Sequence, residues 1–120
     1  HGSTFGGNPL ASAVARAALN VLVDEHLVQN AAEMGEYFMD QLAEIPSPYV
    51  KEVRGKGLLI GIELKPEAGG ARRFSTAMME QGILTKETHQ HVLRFAPPLI
   101  INRETIDWAL PRIRTILNMR

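Results

Sequence analysis

The stretch YVKEVRGKGLLIGIELK puts two strand-like runs on either side of a cluster of turn-forming residues. Val50 and Val53 lead into Arg54-Gly55-Lys56-Gly57, and Leu58 to Leu64 reads as a second strand. The pattern predicts an antiparallel hairpin. Glycine gives the backbone the freedom a reversal needs, and aliphatic residues suit a pleated, half-buried surface. On both sides of the hairpin the apolar spacing is helical. Leu27, Ala31, Met34, Phe38, Leu42 and Ile45 form one stripe that Asp24 can cap and that Pro46 and Pro48 end. Nearer the start, Asn8 is a good N-cap and Pro9 sits at the first helical position. Leu10, Ala13, Val14, Ala17 and Val21 then predict a helix over 9–22.

Beyond the hairpin, 67–70 reads as a loop. Phe74, Ala77 and Met78 mark a short helix that Gly82 is placed to stop. Ile83 to Thr85 and Val92 to Phe95 are short strand candidates. Asn102 caps a last helix with Glu104 in its first turn, and Ile106, Ala109, Leu110, Ile113, Ile116 and Leu117 form its apolar side. Pro111 falls inside that helix, where it is expected to remove a backbone hydrogen bond and bend the axis. Helices interspersed with a few short strands give an α+β fold: a small, mainly antiparallel sheet with helices packed on one face, as a single domain over 1–120.

Composition narrows the function classes. The 120 residues hold 13 basic and 13 acidic side chains, so there is no bulk electrostatic case for nucleic acid or an anionic membrane. Aromatic residues are only 6%, too few for a base-stacking platform. There is no cysteine, which excludes disulfides, thiolate nucleophiles and Cys-type zinc sites and fits a cytoplasmic protein. No apolar run approaches the roughly 20 residues that cross a bilayer. The chain starts at His1 within a motif, as a piece of something longer does.

Two stretches carry candidate chemistry. HGSTFGGNPLASA places Gly2, Gly6 and Gly7 beside the hydroxyls of Ser3 and Thr4, directly ahead of a helix. Its amides and hydroxyls could converge on an anion such as a phosphate; from the residue types alone a plain turn with a helix cap is the commoner use of such a stretch. It lacks the Gly-Lys-Ser/Thr ending of a P-loop. In HVLRFAPPLII, Arg94 lies between Leu93 and Phe95, ahead of the stiffening pair Pro97-Pro98. A guanidinium there suits a carboxylate, held through two parallel hydrogen bonds. The other readings are an internal pair with a carboxylate such as Glu63, or a snorkelling surface arginine. His89 and His91 would share a face of an extended segment, but no third metal ligand is apparent, and exposed loop histidines explain them as well. Arg72-Arg73 and Lys51-Glu52 read as solvated faces, and the methionines at 34, 39, 78 and 79 as core or partner-facing filler.

Taken together, HGSTFGGNPLASAVA, VKEVRGKGLLIGIEL and TKETHQHVLRFAPPLII resemble, in order and spacing, the class III pyridoxal-phosphate (PLP) aminotransferases, and within them the ornithine aminotransferase branch. The resemblance covers nearly the whole chain. It implies the C-terminal small domain of a fold type I enzyme whose PLP-holding large domain lies upstream. It implies that Ser3 and Thr4, Thr4 above all, reach the PLP phosphate of the neighbouring subunit in a homodimer. It implies that Arg94 binds the carboxylate of the substrates, among them 2-oxoglutarate and glutamate. The Schiff-base lysine of such enzymes lies ahead of the opening motif, and Lys51, Lys56, Lys65 and Lys86 do not match its position. The implied reaction moves the δ-amino group of L-ornithine to 2-oxoglutarate, with no metal, nucleic acid or membrane partner. This chain alone is expected to be inactive. The same chemistry on N-acetylornithine or another ω-amino acid, and a non-catalytic binding module, remain as alternatives. Pro111 departs from the pattern of these enzymes.

Overall fold

The computed structural model describes residues 25–120. The helix expected over 9–22, the cap at Asp24, and Ser3 and Thr4 lie outside the described residues. Helix α1 (Glu25–Ala43) carries the predicted stripe, and the chain leaves it ahead of Pro46. Strands β1 (Val50–Lys56) and β2 (Leu59–Leu64) form the expected hairpin, but its turn is shorter than the sequence suggests. Arg54, Gly55 and Lys56 stay in the ladder opposite Gly61, Ile60 and Leu59. Gly57 and Leu58 alone reverse the chain. Gly57 at φ +57 takes the first turn position, where a left-handed residue matches the twist of the two strands.

A short 3₁₀ turn (Pro66–Ala68) leads to helix α2 (Arg72–Glu80). Gly82, at φ +83, ends α2 as predicted. Its amide donates to the Met79 carbonyl at 3.0 Å and the Ile83 amide to Met78 at 2.9 Å, a Schellman closure. That closure moves the next strand. Ile83 is used to end the helix and is buried beside Met78, so β3 covers Thr85–Thr88 rather than 83–85. Strand β4 (Val92–Phe95) follows, then helix α3 (Arg103–Leu117). The Asn102 side chain caps α3 by accepting the Thr105 amide at 2.9 Å. Helix α3 runs unbroken through Pro111, which lies on its exposed side.

The four strands are antiparallel in the order β1-β2-β4-β3. Ile60 faces Phe95 and Ile62 faces Leu93 across the central pair, all buried. Onto this face pack Phe38 and Leu42 of α1, Phe74 and Met78 of α2, and Ile106, Ile113 and Leu117 of α3. Each such side chain contributes about 1.5–3 kcal/mol on leaving water. The fold is therefore the expected α+β layer, with the described helices on one face and the other face of the sheet open.

Candidate functional site

The open face of the sheet follows from the packing of the closed one. Leu93 and Phe95 are 0% and 3% exposed, so their side chains anchor β4 in the core. Alternation along a strand then forces Arg94, between them, out of the opposite face. Strand β4 is paired on both sides, which fixes the Arg94 backbone. Its register neighbours are Gly61 on β2 and Lys86 on β3. Arg94 borders an open groove of about 620 Å³ together with Arg54, Lys56, Leu59, Val92 and His89, and no lining residue is acidic. Gly61 gives the groove its floor. A Cβ there would meet only Val92 Cγ1 at 3.6 Å and the Arg54 carbonyl at 3.9 Å, so packing does not require glycine. Its effect is to leave the space beside Arg94 free of a side chain.

The internal pair between Arg94 and Glu63 does not form. Glu63 accepts from Arg54 Nη1 at 2.6 Å and lies 3.4 Å from Lys51 Nζ. Arg54 also donates to Glu52 at 2.8 Å. The carboxylates of β1 and β2 on this face are thus occupied by their own strands, and Arg94 makes no hydrogen bond or ion pair with any described residue. The Arg54 hydrogen bond, with Lys51 beside it, holds the Glu63 carboxyl below the usual glutamate range. A carboxyl depressed in the folded state stabilises it above the unfolded value, and that contribution is lost as pH falls through the folded value. Glu63→Gln should therefore lower the urea midpoint at about pH 7, by an amount that shrinks as pH falls through the depressed folded value and the Glu63 carboxyl takes up its proton. A loss of constant size across that range contradicts the ion cluster.

His89 and His91 do not share a strand face. They lie in the β3–β4 connection, where His89 (φ 50) and Gln90 (φ 66) are both left-handed. His89 is exposed at the groove edge, while the His91 Nδ1 is buried without a partner. Among the described residues, no three His, Cys, Asp or Glu side chains come together to hold a metal ion. Arg73 is not a solvated surface residue. It stacks over Phe74 at 4.2 Å and donates to the Ala68 carbonyl at 2.8 Å, while Arg72 pairs with Glu87 at 2.8 Å. Sequence reasoning missed Gly61 and Lys86 as neighbours of Arg94, because only the strand register brings them together. Met78 is core as read, and Met79 is exposed.

Comparison with known proteins places this geometry. The family described as Aminotransferase class-III matches residues 1–117. The ornithine aminotransferase of Bordetella pertussis is 56% identical over 117 residues, covering 98% of this chain and 28% of that protein. The ornithine aminotransferase of Bacillus subtilis is 55% identical over 117 residues, again 98% and 28%. Among solved structures, the ornithine aminotransferase of Toxoplasma gondii aligns with a TM-score of 0.78 at 44% identity, covering 98% of this chain and 28% of that one. The N-acetylornithine aminotransferase of Stenotrophomonas maltophilia aligns at 0.80 and 36% identity, covering 92% and 31%. The chain spans less than a third of the length of each of these relatives.

Proposed function

The chain belongs to the class-III aminotransferase family, and from that premise we propose that it is the C-terminal part of an ornithine aminotransferase, in which Arg94 binds the substrate carboxylate. Members of the family depend on PLP, and one structure of the Toxoplasma gondii relative carries PLP at partial occupancy in its active site. The observation that supports the reading is the exposed guanidinium of Arg94, carried on a doubly paired strand that fixes its backbone beside a groove lined by no acidic side chain.

The described residues suit one end of this task. The groove offers donors for a carboxylate, and its lining holds no Phe, Tyr or Trp to stack on a pyridine ring and no acidic side chain to pair with its nitrogen. Ring-holding therefore falls to the remainder of the protein, and the phosphate to the hydroxyls of Ser3 and Thr4 of the neighbouring subunit in a homodimer. When bound, PLP supplies the carbonyl that takes up the amino group and the electron sink that lets it move. This chain's part is positioning. The planar fork of Arg94 accepts a carboxylate in one orientation and so fixes which carbon faces the cofactor. Pro97-Pro98 stiffen the segment just beyond it, and the exclusion of acidic groups from the groove keeps the guanidinium available.

On this reading the full-length protein is cytoplasmic and converts L-ornithine and 2-oxoglutarate to glutamate 5-semialdehyde and glutamate. No catalytic residue lies in this chain, which is inactive alone. Incubating the full-length enzyme with both substrates should yield glutamate at a rate that collapses when ornithine is replaced by N-acetylornithine. Equal or faster turnover of N-acetylornithine overturns the ornithine assignment and leaves the family.

A further inference from the structure

Residues opposed in register project from the same face of a sheet, and on the open face one row runs Arg54, Gly61, Arg94 across β1, β2 and β4. Glu63 stands two residues along β2 from Gly61, on that same face. It is therefore a diagonal neighbour of two arginines, Arg54 on one side and Arg94 on the other. Diagonal neighbours lie within reach of long side chains. Glu63 takes Arg54, and both of its carboxylate oxygens are engaged from β1. Oε1 accepts from Arg54 Nη1 at 2.6 Å, and Oε2 lies 3.4 Å from Lys51 Nζ. The backbone of β1 is shaped for this second contact. Its register with β2 shifts between Val50 and Glu52, and Lys51 has no partner in the ladder. Strict alternation would put Lys51 on the face opposite Glu52, whereas a bulge re-aims the side chain, and the ammonium reaches Glu63. Glu52 accepts from the same Arg54 nitrogen at 2.8 Å and holds the guanidinium on the β1 side.

Resting on the reading of Arg94 as the carboxylate-binding residue, we propose that Arg54 is a positioning residue that, assisted by Lys51, holds Glu63 away from Arg94 and so leaves that guanidinium to the substrate. Glu63 is the carboxylate that the register puts one diagonal step from Arg94; Glu52 is a strand further away, and Glu87 belongs to the other face, where it holds Arg72. The backbones of Glu63 and Arg94 are both fixed in the ladder, so a pair between them would compete with every arriving carboxylate. Competition of this kind weakens apparent affinity and spares the saturated rate, because enough substrate displaces the internal carboxylate. Arg54 thus acts through Glu63 and needs no contact of its own with the substrate.

The test uses the full-length, PLP-loaded enzyme with Arg54→Gln, Glu63→Gln, the double variant of these two, Arg54→Lys and Arg94→Gln. For each, KM and kcat for 2-oxoglutarate are measured beside a thermal melt and the inhibition constant of glutarate, a dicarboxylate with no carbonyl to react. Arg54→Gln should raise KM and the glutarate constant by about fivefold, the upper range for an exposed ion pair, and leave kcat within about twofold. Glu63→Gln should leave KM within about twofold, and the double variant should return to within about twofold of the parent, because removing the competitor cancels the loss of its keeper. Arg54→Lys keeps a cation beside Glu63 and should lose less than Arg54→Gln. A KM that stays raised in the double variant overturns the proposal, since Arg54 then acts on the substrate or the fold and not through Glu63. An unchanged KM in Arg54→Gln, with Arg94→Gln impaired, also overturns it and leaves Arg94 in place. Arg94→Gln with normal use of 2-oxoglutarate removes the carboxylate reading itself.

Discussion

Gly35→Ala is expected to cost the domain about 2–4 kcal/mol, a large share of the roughly 5–15 kcal/mol by which domains of this kind are stable. Gly35 lies mid-way along α1, where alanine would ordinarily gain about 1 kcal/mol from helix propensity alone. Here the sign reverses. A Cβ at Gly35 would stand 1.9 Å from the Gly57 carbonyl oxygen and 2.4 Å from its carbon. Both atoms are backbone, so no side-chain rotation relieves the contact. Either α1 backs away from the hairpin or the Gly57-Leu58 turn shifts. The same contact seats the hairpin end that carries Arg54 and Lys56 to the groove. Urea denaturation of the variant checks it: a midpoint equal to or above the parent's means that helix and hairpin do not approach this closely. Alanine at Gly61 is the natural control, because its nearest contacts, at 3.6 Å or more, are ordinary.

The largest effect on activity is expected at Arg94. A charge-assisted hydrogen bond is worth about 1.5–3 kcal/mol, and a forked pair lost together removes about 3–4 kcal/mol of transition-state positioning. At 1.36 kcal/mol per factor of ten, Arg94→Gln in the full-length enzyme should lower kcat/KM for 2-oxoglutarate by about 10²–10³. Arg94→Lys keeps the charge and loses the fork, so it should recover only part of this. Neither variant should lose stability, because Arg94 is exposed and pairs with no described residue. Steady-state kinetics beside a thermal melt separate the two effects. A fall in kcat/KM that tracks a fall in melting temperature contradicts a binding role.

The elements legible in the sequence are those fixed within a few residues. The α1 stripe from Leu27 to Leu42, the glycine stop at Gly82 and the Asn102 cap depend on side chains one turn apart, and each lies where its pattern puts it. The outward aim of Arg94 is legible too, once Leu93 and Phe95 are read as core. What surrounds Arg94 is not. Its neighbours follow from the register of β4 with β2 and β3. That register depends on a two-residue turn at Gly57-Leu58 and on left-handed His89 and Gln90. Non-glycine residues in that conformation leave no composition signal. The fate of Glu63 is set in the same way: a candidate partner of Arg94 by residue type, it is claimed by Arg54 because β1 and β2 hold both on one face. Strand β3 was displaced by competition, since the Schellman closure of α2 took Ile83 from a run that reads as strand.

The most direct measurement is the visible absorbance of the full-length enzyme loaded with PLP and given one substrate at a time. The expected result is that L-ornithine alone discharges the band of the enzyme-bound cofactor and 2-oxoglutarate restores it, with Arg94→Gln slow in the second step. A band that L-ornithine leaves untouched and N-acetylornithine discharges contradicts the assignment of substrate, and a band indifferent to every amino donor contradicts the aminotransferase reading altogether.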